Sequence, residues 1–304
     1  MTTPDPSDRP AGGHAAIGPE PFGARLHRAM AVRGRLCVGI DPHARLLAQW
    51  GLNDDVAGLE RFTLTVVDAL AATTAVFKPQ SAFFERFGSR GVAVLERAVV
   101  RAREAGALVL MDAKRGDIGS TMAAYAATYL DKDSPLFSDA LTVSPYLGFE
   151  SLRPALDAAR ISGAGVFVLA LTSNPEGAEV QRAAVADGRS VAQVMLDHIA
   201  AENADARPLG SVGAVVGATL TEAGVDLAVN GPLLAPGIGA QGATPADLPA
   251  LFGAALPMVL PSVSRDVLRH GPDPDALRNA VRFHAEQVAA AVTGAGDSGG
   301  NTVR

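Results

Sequence analysis

A single closed (β/α)8 barrel is the fold class predicted for this chain, and three observations predict it. Eight short β-type apolar runs are each followed by a longer segment with helical spacing. Composition does not break along the 304 residues, so nothing marks a boundary between two domains. No Gly-x-Gly-x-x-Gly turn follows the first run, which weakens the structural alternative, an open doubly wound sheet. Alternating strands and helices build a parallel sheet covered by helices, and eight such units close into the TIM-barrel arrangement.

The elements follow in order. Residues 1–19 are rich in Pro, Gly, Thr and Asp and lack the basic start and apolar centre of a signal peptide, so they read as a disordered tail. Residues 22–32 have helical spacing and predict an extra N-terminal helix outside the main fold. The first strand is expected at 36–41 with a helix at 55–73, and the second at 75–80 with a helix at 91–105. The third is expected at 108–114, before a helix at 118–130, and the fourth at 140–146, before one at 149–160. Residues 165–172 form the fifth and most apolar run, whose helix at 190–203 comes after a long loop. The sixth, 213–219, precedes a helix at 221–229. The seventh, 233–239, precedes 245–252, and the eighth, 258–264, leads to a closing helix at 274–291. The barrel domain thus spans 20–292, and 293–304 reads as a second disordered tail.

Composition bounds the function. Hydrophobic residues make up 48% of the chain, enough for a substantial core. A net charge of −6 without a basic cluster argues against a nucleic-acid partner, while a local phosphate site stays open. No uninterrupted apolar stretch is long enough to span a bilayer, so no membrane association is expected. The single cysteine, Cys37, leaves no partner for an intrachain disulfide and fits a reducing compartment; it reads as core, and a cytoplasmic location is the expectation. His43, His198 and His284 show no metal-ligand spacing and read as structural or surface groups, so neither a metal nor a cofactor is expected.

In such a barrel the chemistry sits at the carboxyl ends of the strands. Asp41 ends the first strand ahead of Pro42 and His43, where a plain Asp-Pro turn is an equal reading. Lys78 ends the second, within Phe77-Lys-Pro-Gln80. A lysine in an apolar strand end costs too much to be idle unless it meets an anion. The third strand ends in Asp112-Ala-Lys114-Arg-Gly-Asp117. Alternation puts Asp112 and Lys114 on one side. An ammonium held between carboxylates stays charged, and acts as a proton donor rather than a nucleophile. The plainer alternative is a surface ion pair with Asp117 as a helix N-cap. Ser144, at the fourth strand end, can bond a ligand or its own loop, and the turn-rich loop after the fifth strand stays unassigned.

Pro236-Gly-Ile-Gly-Ala-Gln-Gly242 after the seventh strand exposes backbone N–H groups with little obstruction, as a bound phosphate requires. Ser264-Arg265 adds a fixed cation after the eighth. Glycines alone are also simple turn formers, but loop and arginine stand together where these barrels commonly bind phosphate.

These residues together resemble the orotidine 5′-phosphate decarboxylase family. Asp112-Ala-Lys114-Arg-Gly-Asp117 is similar to its Asp-x-Lys-x-x-Asp signature, and the wider Asp-Ala-Lys-Arg-Gly-Asp-Ile-Gly-Ser-Thr121 to its longer-chain bacterial branch. Phe77-Lys-Pro-Gln80, Leu234-Ala-Pro-Gly-Ile-Gly-Ala-Gln-Gly242 and Ser264-Arg265 match in the same order, and the resemblance runs from about residue 22 to 291. It implies cofactor-independent decarboxylation of orotidine 5′-monophosphate to uridine 5′-monophosphate and carbon dioxide in pyrimidine biosynthesis. By that resemblance Lys114 protonates C6, Asp112 faces the substrate carboxylate, and Lys78 completes the charged chain and reaches the ribose. Asp41 also binds ribose hydroxyls. Gly239, Gln241 and Arg265 serve the 5′-phosphate, and Ser144 the pyrimidine. The family's last signature aspartate crosses a dimer interface, so Asp117 and Thr121 are expected in the partner's site of an obligate homodimer.

Two enzyme rivals remain at this stage. A metal-dependent sugar-phosphate decarboxylase or aldolase shares the signature on a similar barrel, and the Lys78 cation opposes a metal there. A Schiff-base aldolase using Lys114 is disfavoured by the flanking carboxylates. A barrel that binds a nucleotide without turnover is the non-enzyme alternative, set aside because the charged set is complete.

Overall fold

Each of the eight apolar runs forms a strand that pairs in parallel with its sequence neighbours. They are β1 Cys37–Ile40, β2 Val76–Pro79, β3 Leu108–Arg115, β4 Ala140–Val143, β5 Gly165–Leu171, β6 Val212–Val216, β7 Leu233–Pro236 and β8 Val259–Val263. The eighth closes on the first, with Cys37 opposite Ser262 and Val38 opposite Val263. Strands buried on both faces need no polar alternation, which is why these runs are nearly continuous in Val, Leu, Ala and Ile.

The computed structural model describes residues 18–297. Most of the expected N-terminal tail lies outside the described residues. The closing helix, Pro274–Asp297, continues past its expected end, so residues 293–297 are helical rather than tail.

Helices wrap the barrel wherever an amphipathic stripe follows a strand. The helix Val56–Leu70 is typical. Asp55 caps it, its Oδ1 accepting the Gly58 N–H at 2.8 Å, and Leu59, Phe62, Val66 and Leu70 form the stripe it buries. The helix expected at 221–229 is absent. Side chains bind that backbone in competition with helical bonds: Asp226 donates its N–H to Gln193 Oε1 at 2.8 Å and accepts one from Ala228 at 2.9 Å. Gly224 at φ +64° breaks the run as well, so the sixth unit is a strand and a tethered loop.

The helix Phe22–Arg33 lies outside the repeating units yet inside the core. Phe22, Leu26 and Met30 recur on one face and pack against the amino ends of the strands, among Cys37, Val76, Leu108 and Phe167. The rings of Phe22 and Phe167 meet edge to face at 5.9 Å. Gly165 makes room for this, since a Cβ there would stand 2.3 Å from the Phe22 ring. Arg25 fixes the helix by pairing with buried Asp139 at 2.5 Å, and Asp139 also accepts the Val109 N–H at 2.9 Å. This helix floors the barrel, leaving the carboxyl ends of the strands open at the other side.

Candidate active site

At that open end lies a cavity of about 470 Å³. Leu169, Val215 and Leu234 give it an apolar base, while its polar groups come from strand ends around the ring.

The central group is Asp112 on β3. Lys78 on β2 donates from Nζ to Asp112 Oδ2 at 2.8 Å, and Lys114 Nζ donates to Asp112 Oδ1 at 2.6 Å. The Thr142 hydroxyl donates to the same Oδ1 at 2.9 Å and accepts the backbone N–H of Lys114 at 3.0 Å. Burial alone would push the Asp112 carboxyl up, but the two ammonium groups hold it well below the usual carboxylate range. Burial also works against a charged Lys78, and Asp112, followed by Asp41, more than offsets it, so its pKa is raised. Both side chains are 8% exposed, whereas that of Lys114 is 44% exposed. Lys114 is therefore the more accessible ammonium of the two.

Backbone irregularity aims it. The β3–β4 register shifts between Met111 and Arg115, and Lys114 sits at φ +48°, a left-handed conformation costing of order 1–3 kcal/mol for a side-chain-bearing residue. The next residue, Arg115, turns away to pair with Glu85 and to donate to the Tyr129 hydroxyl at 3.2 Å, anchoring the strand end to the surrounding helices.

At the seam between β1 and β8, Asp41 Oδ1 and Ser264 Oγ are buried with no protein partner among the described residues. Gly39 lets these ends approach, since a Cβ there would meet Ser264 Cβ at 2.8 Å. Two polar oxygens left open beside a cavity suit ligand hydroxyls. Gln241 and Arg265 line the wall beyond them. Gln241 Oε1 lies against Gly237, which takes φ +113°, and Arg265 approaches the Ala240 carbonyl at 3.4 Å.

Six of the expected site residues meet here: Asp41, Lys78, Asp112, Lys114, Gln241 and Arg265. The structure does not bring the other four to this cavity. Gly239 faces Asp266, whose Oδ2 would stand 2.0 Å from an added Cβ, and its N–H is bonded to Ala243 O at 2.8 Å. Ser144 follows the end of β4 and donates its N–H to Arg115 O at 2.7 Å, tying two loops together. Asp117 accepts the Ile118 N–H at 2.8 Å, and the following helix begins only at Gly119, so Asp117 is not its N-cap. Thr121 is exposed in that helix's first turn.

Other residues of the cavity carry little signal in the sequence. Thr142, two places before Ser144, supplies the hydroxyl, and strand alternation from Ala140 carries the signal for it. The unassigned loop after β5 contributes Thr172, Ser173 and Asn174 to the cavity. Gln181 clamps that loop, accepting the Thr172 N–H at 2.9 Å and donating to its hydroxyl at 2.8 Å. His43 is a surface group that also borders the mouth, edge-on to Phe83 at 4.3 Å. His198 instead stacks on Phe149 at 4.7 Å and does not line the cavity. Cys37 is buried, and burial pushes its thiol up to about 12, which suits core rather than a nucleophile. Among the described residues, no group of three or more His, Cys, Asp or Glu could hold a metal ion, and no helix is long and apolar enough to cross a membrane.

Known proteins are similar to this chain over most of its length. The family model described as orotidine 5′-phosphate decarboxylase / HUMPS matches residues 34–280. Orotidine 5′-phosphate decarboxylase of Streptomyces coelicolor is 74% identical over 275 residues, covering 90% of this chain and 99% of the relative. That of Salinispora arenicola is 67% identical over 276 residues, with the same two coverages of 90% and 99%. A crystal structure from Streptomyces avermitilis, assigned to the same enzyme, matches with a TM-score of 0.89 at 73% identity, covering 91% of this chain and 98% of that one.

Proposed function

This chain belongs to the orotidine 5′-phosphate decarboxylase family, and from that premise we propose how its charged array carries the reaction. The enzyme converts orotidine 5′-monophosphate to uridine 5′-monophosphate and carbon dioxide in pyrimidine biosynthesis. Loss of carbon dioxide from C6 leaves an electron pair in an orbital that the pyrimidine ring delocalises poorly, so the protein must stabilise it. Lys114 is the group for this. A fixed ammonium attracts the localised charge developing at C6 more strongly than the spread charge of the departing carboxylate. It then gives C6 a proton, and the Lys114 amine is reprotonated from solvent.

Asp112 holds Lys114 in place and lies beside the carboxylate to be lost; their repulsion disappears as carbon dioxide leaves. Lys78, buried and charged, keeps Asp112 ionised and offers its remaining protons toward the ribose. The open oxygens of Asp41 and Ser264 accept ribose hydroxyls, and Gln241 and Arg265 hold the 5′-phosphate. Gripping a remote phosphate supplies binding energy far from the bond that breaks. The Lys78 ammonium also stands beside Asp112 where a magnesium ion would need to go, which disfavours the metal-dependent rival.

Asp117 and Thr121 serve the site of a second copy. What supports this is their neighbourhood: Ile118 is 62% and Tyr146 77% exposed on adjoining loops, apolar surface that a partner would cover. A cytoplasmic location accords with one buried, unpaired cysteine.

The observation that carries this reading is the Lys78–Asp112–Lys114 array at the cavity, with its last ammonium the more exposed of the two. Following the absorbance change of orotidine 5′-monophosphate tests it. Lys114→Ala should lose more than about 10³-fold in kcat with the fold intact, and near-normal turnover by that variant refutes the role of Lys114.

A further inference from the structure

Beside the cavity, across a shared wall, runs a second groove of about 400 Å³. His43, Ala240 and Arg265 border both spaces. Its other charged groups are Arg45, Arg269 and Asp266, so three guanidinium groups face one carboxylate. Asp266 is already engaged, with Arg269 NH1 3.3 Å from its Oδ1. Arg45 is exposed and has no hydrogen bond or ion pair among the described residues. Arg265 has only its long approach to the Ala240 carbonyl. A monophosphate held by Gln241 and Arg265 would leave Arg45 without an anion and Arg269 with only its 3.3 Å contact to Asp266. Surface arginines usually find carboxylates when these are near, as Arg86 does with Asp54 and Arg189 with Asp187. Here two arginines converge on a concave space at the outer edge of the phosphate wall.

We infer that this groove binds the outer phosphate of a nucleoside diphosphate whose base and ribose occupy the main cavity. The inference rests on the reading of Gln241 and Arg265 as the 5′-phosphate wall. A second phosphate lies one bridging oxygen beyond the first, on the side where the shared Arg265 leads to Arg45 and Arg269. Guanidinium groups bind phosphate oxygens through paired N–H bonds, so the groove suits a phosphate better than a carboxylate. The ligand class is a uridine 5′-diphosphate, formed by phosphoryl transfer onto this enzyme's product. A later nucleotide would in this way compete with the substrate.

The test is inhibition of orotidine 5′-monophosphate turnover by uridine mono- and diphosphate at fixed ionic strength, in the wild type and in Arg45→Glu and Arg269→Ala. Both substituted positions are exposed and lie outside the main cavity, so turnover itself should be unchanged. The diphosphate should inhibit the wild type more tightly than the monophosphate, and each variant should weaken the diphosphate by about three- to tenfold, as exposed charge-assisted contacts do. Monophosphate inhibition should stay the same. The inference is overturned if the diphosphate inhibits no better than the monophosphate, or if both weaken equally in the variants. It is likewise overturned if adenosine 5′-diphosphate or pyrophosphate inhibits as tightly, since the groove is then a general anion patch. Failure of uridine monophosphate to inhibit at all, or absence of turnover, would instead remove the reading of the main cavity and the groove with it.

Discussion

Thr142 makes two hydrogen bonds that bear on catalysis: its hydroxyl donates to Asp112 and accepts the Lys114 N–H. The second bond secures a backbone turn that a lysine does not adopt freely. Without it Lys114 can relax toward ordinary strand geometry and draw its ammonium away from Asp112. Thr142→Val keeps the shape and removes both bonds. Leaving buried polar groups unpaired costs about 1–3 kcal/mol each, so kcat should fall by about 10- to 100-fold with KM little altered, and Thr142→Ser should restore most of it. A parallel rise in KM, or failure of the serine variant, would point to a direct binding role instead. The neighbouring charged groups were legible in the sequence because a lysine or aspartate in an apolar strand end is conspicuous. A threonine there is not, since β-branched residues belong in strands for packing reasons alone. Gly239 failed in the opposite way: its sequence context matches a phosphate loop, but the fold spends its N–H inside the turn.

Whole elements were read more reliably than their ends. Each strand was visible as an apolar run because the barrel buries both of its faces, and the helix Val56–Leu70 was visible through its stripe. Periodicity did not reveal that residues 221–229 would be captured by Gln193, Asn203 and their own Asp226. Gln193 and Asn203 come from the preceding helix Val191–Glu202 and its C-cap, more than twenty residues away, and local spacing cannot weigh them. The N-terminal helix shows the same limit. Its stripe predicts burial, yet only the closed barrel shows what it covers. Phe22 fills the floor against Phe167 and Gly165, at the end of the strands opposite Lys114. Phe22→Ala should therefore cost about 3–5 kcal/mol of stability in urea unfolding, while kcat and KM at 25 °C remain near wild type. A large loss of activity in the folded variant would mean that floor and site are coupled through the strands.

At the scale of the whole molecule, one chain encloses the charged cavity and leaves Asp117 and Thr121 outside it. Ile118, Tyr146 and Leu147 stand exposed near them, at 62%, 77% and 52%. Single apolar residues on a surface are ordinary, but three on adjoining loops, joined by the Ser144–Arg115 backbone bond, form a patch. A two-fold axis through that patch would bring each Asp117 toward the other copy's strand ends, since such an interface repeats every contact. Mixing two inactive variants distinguishes this from a self-contained site. Lys114→Ala and Asp117→Ala should each show little turnover alone. Unfolding and refolding them together should give mixed dimers in which one site carries both defects and the other carries neither. Random pairing makes half the dimers mixed, so about a quarter of wild-type activity should return. If Asp117 instead acts within its own chain, every site in the mixture keeps one defect and no activity reappears.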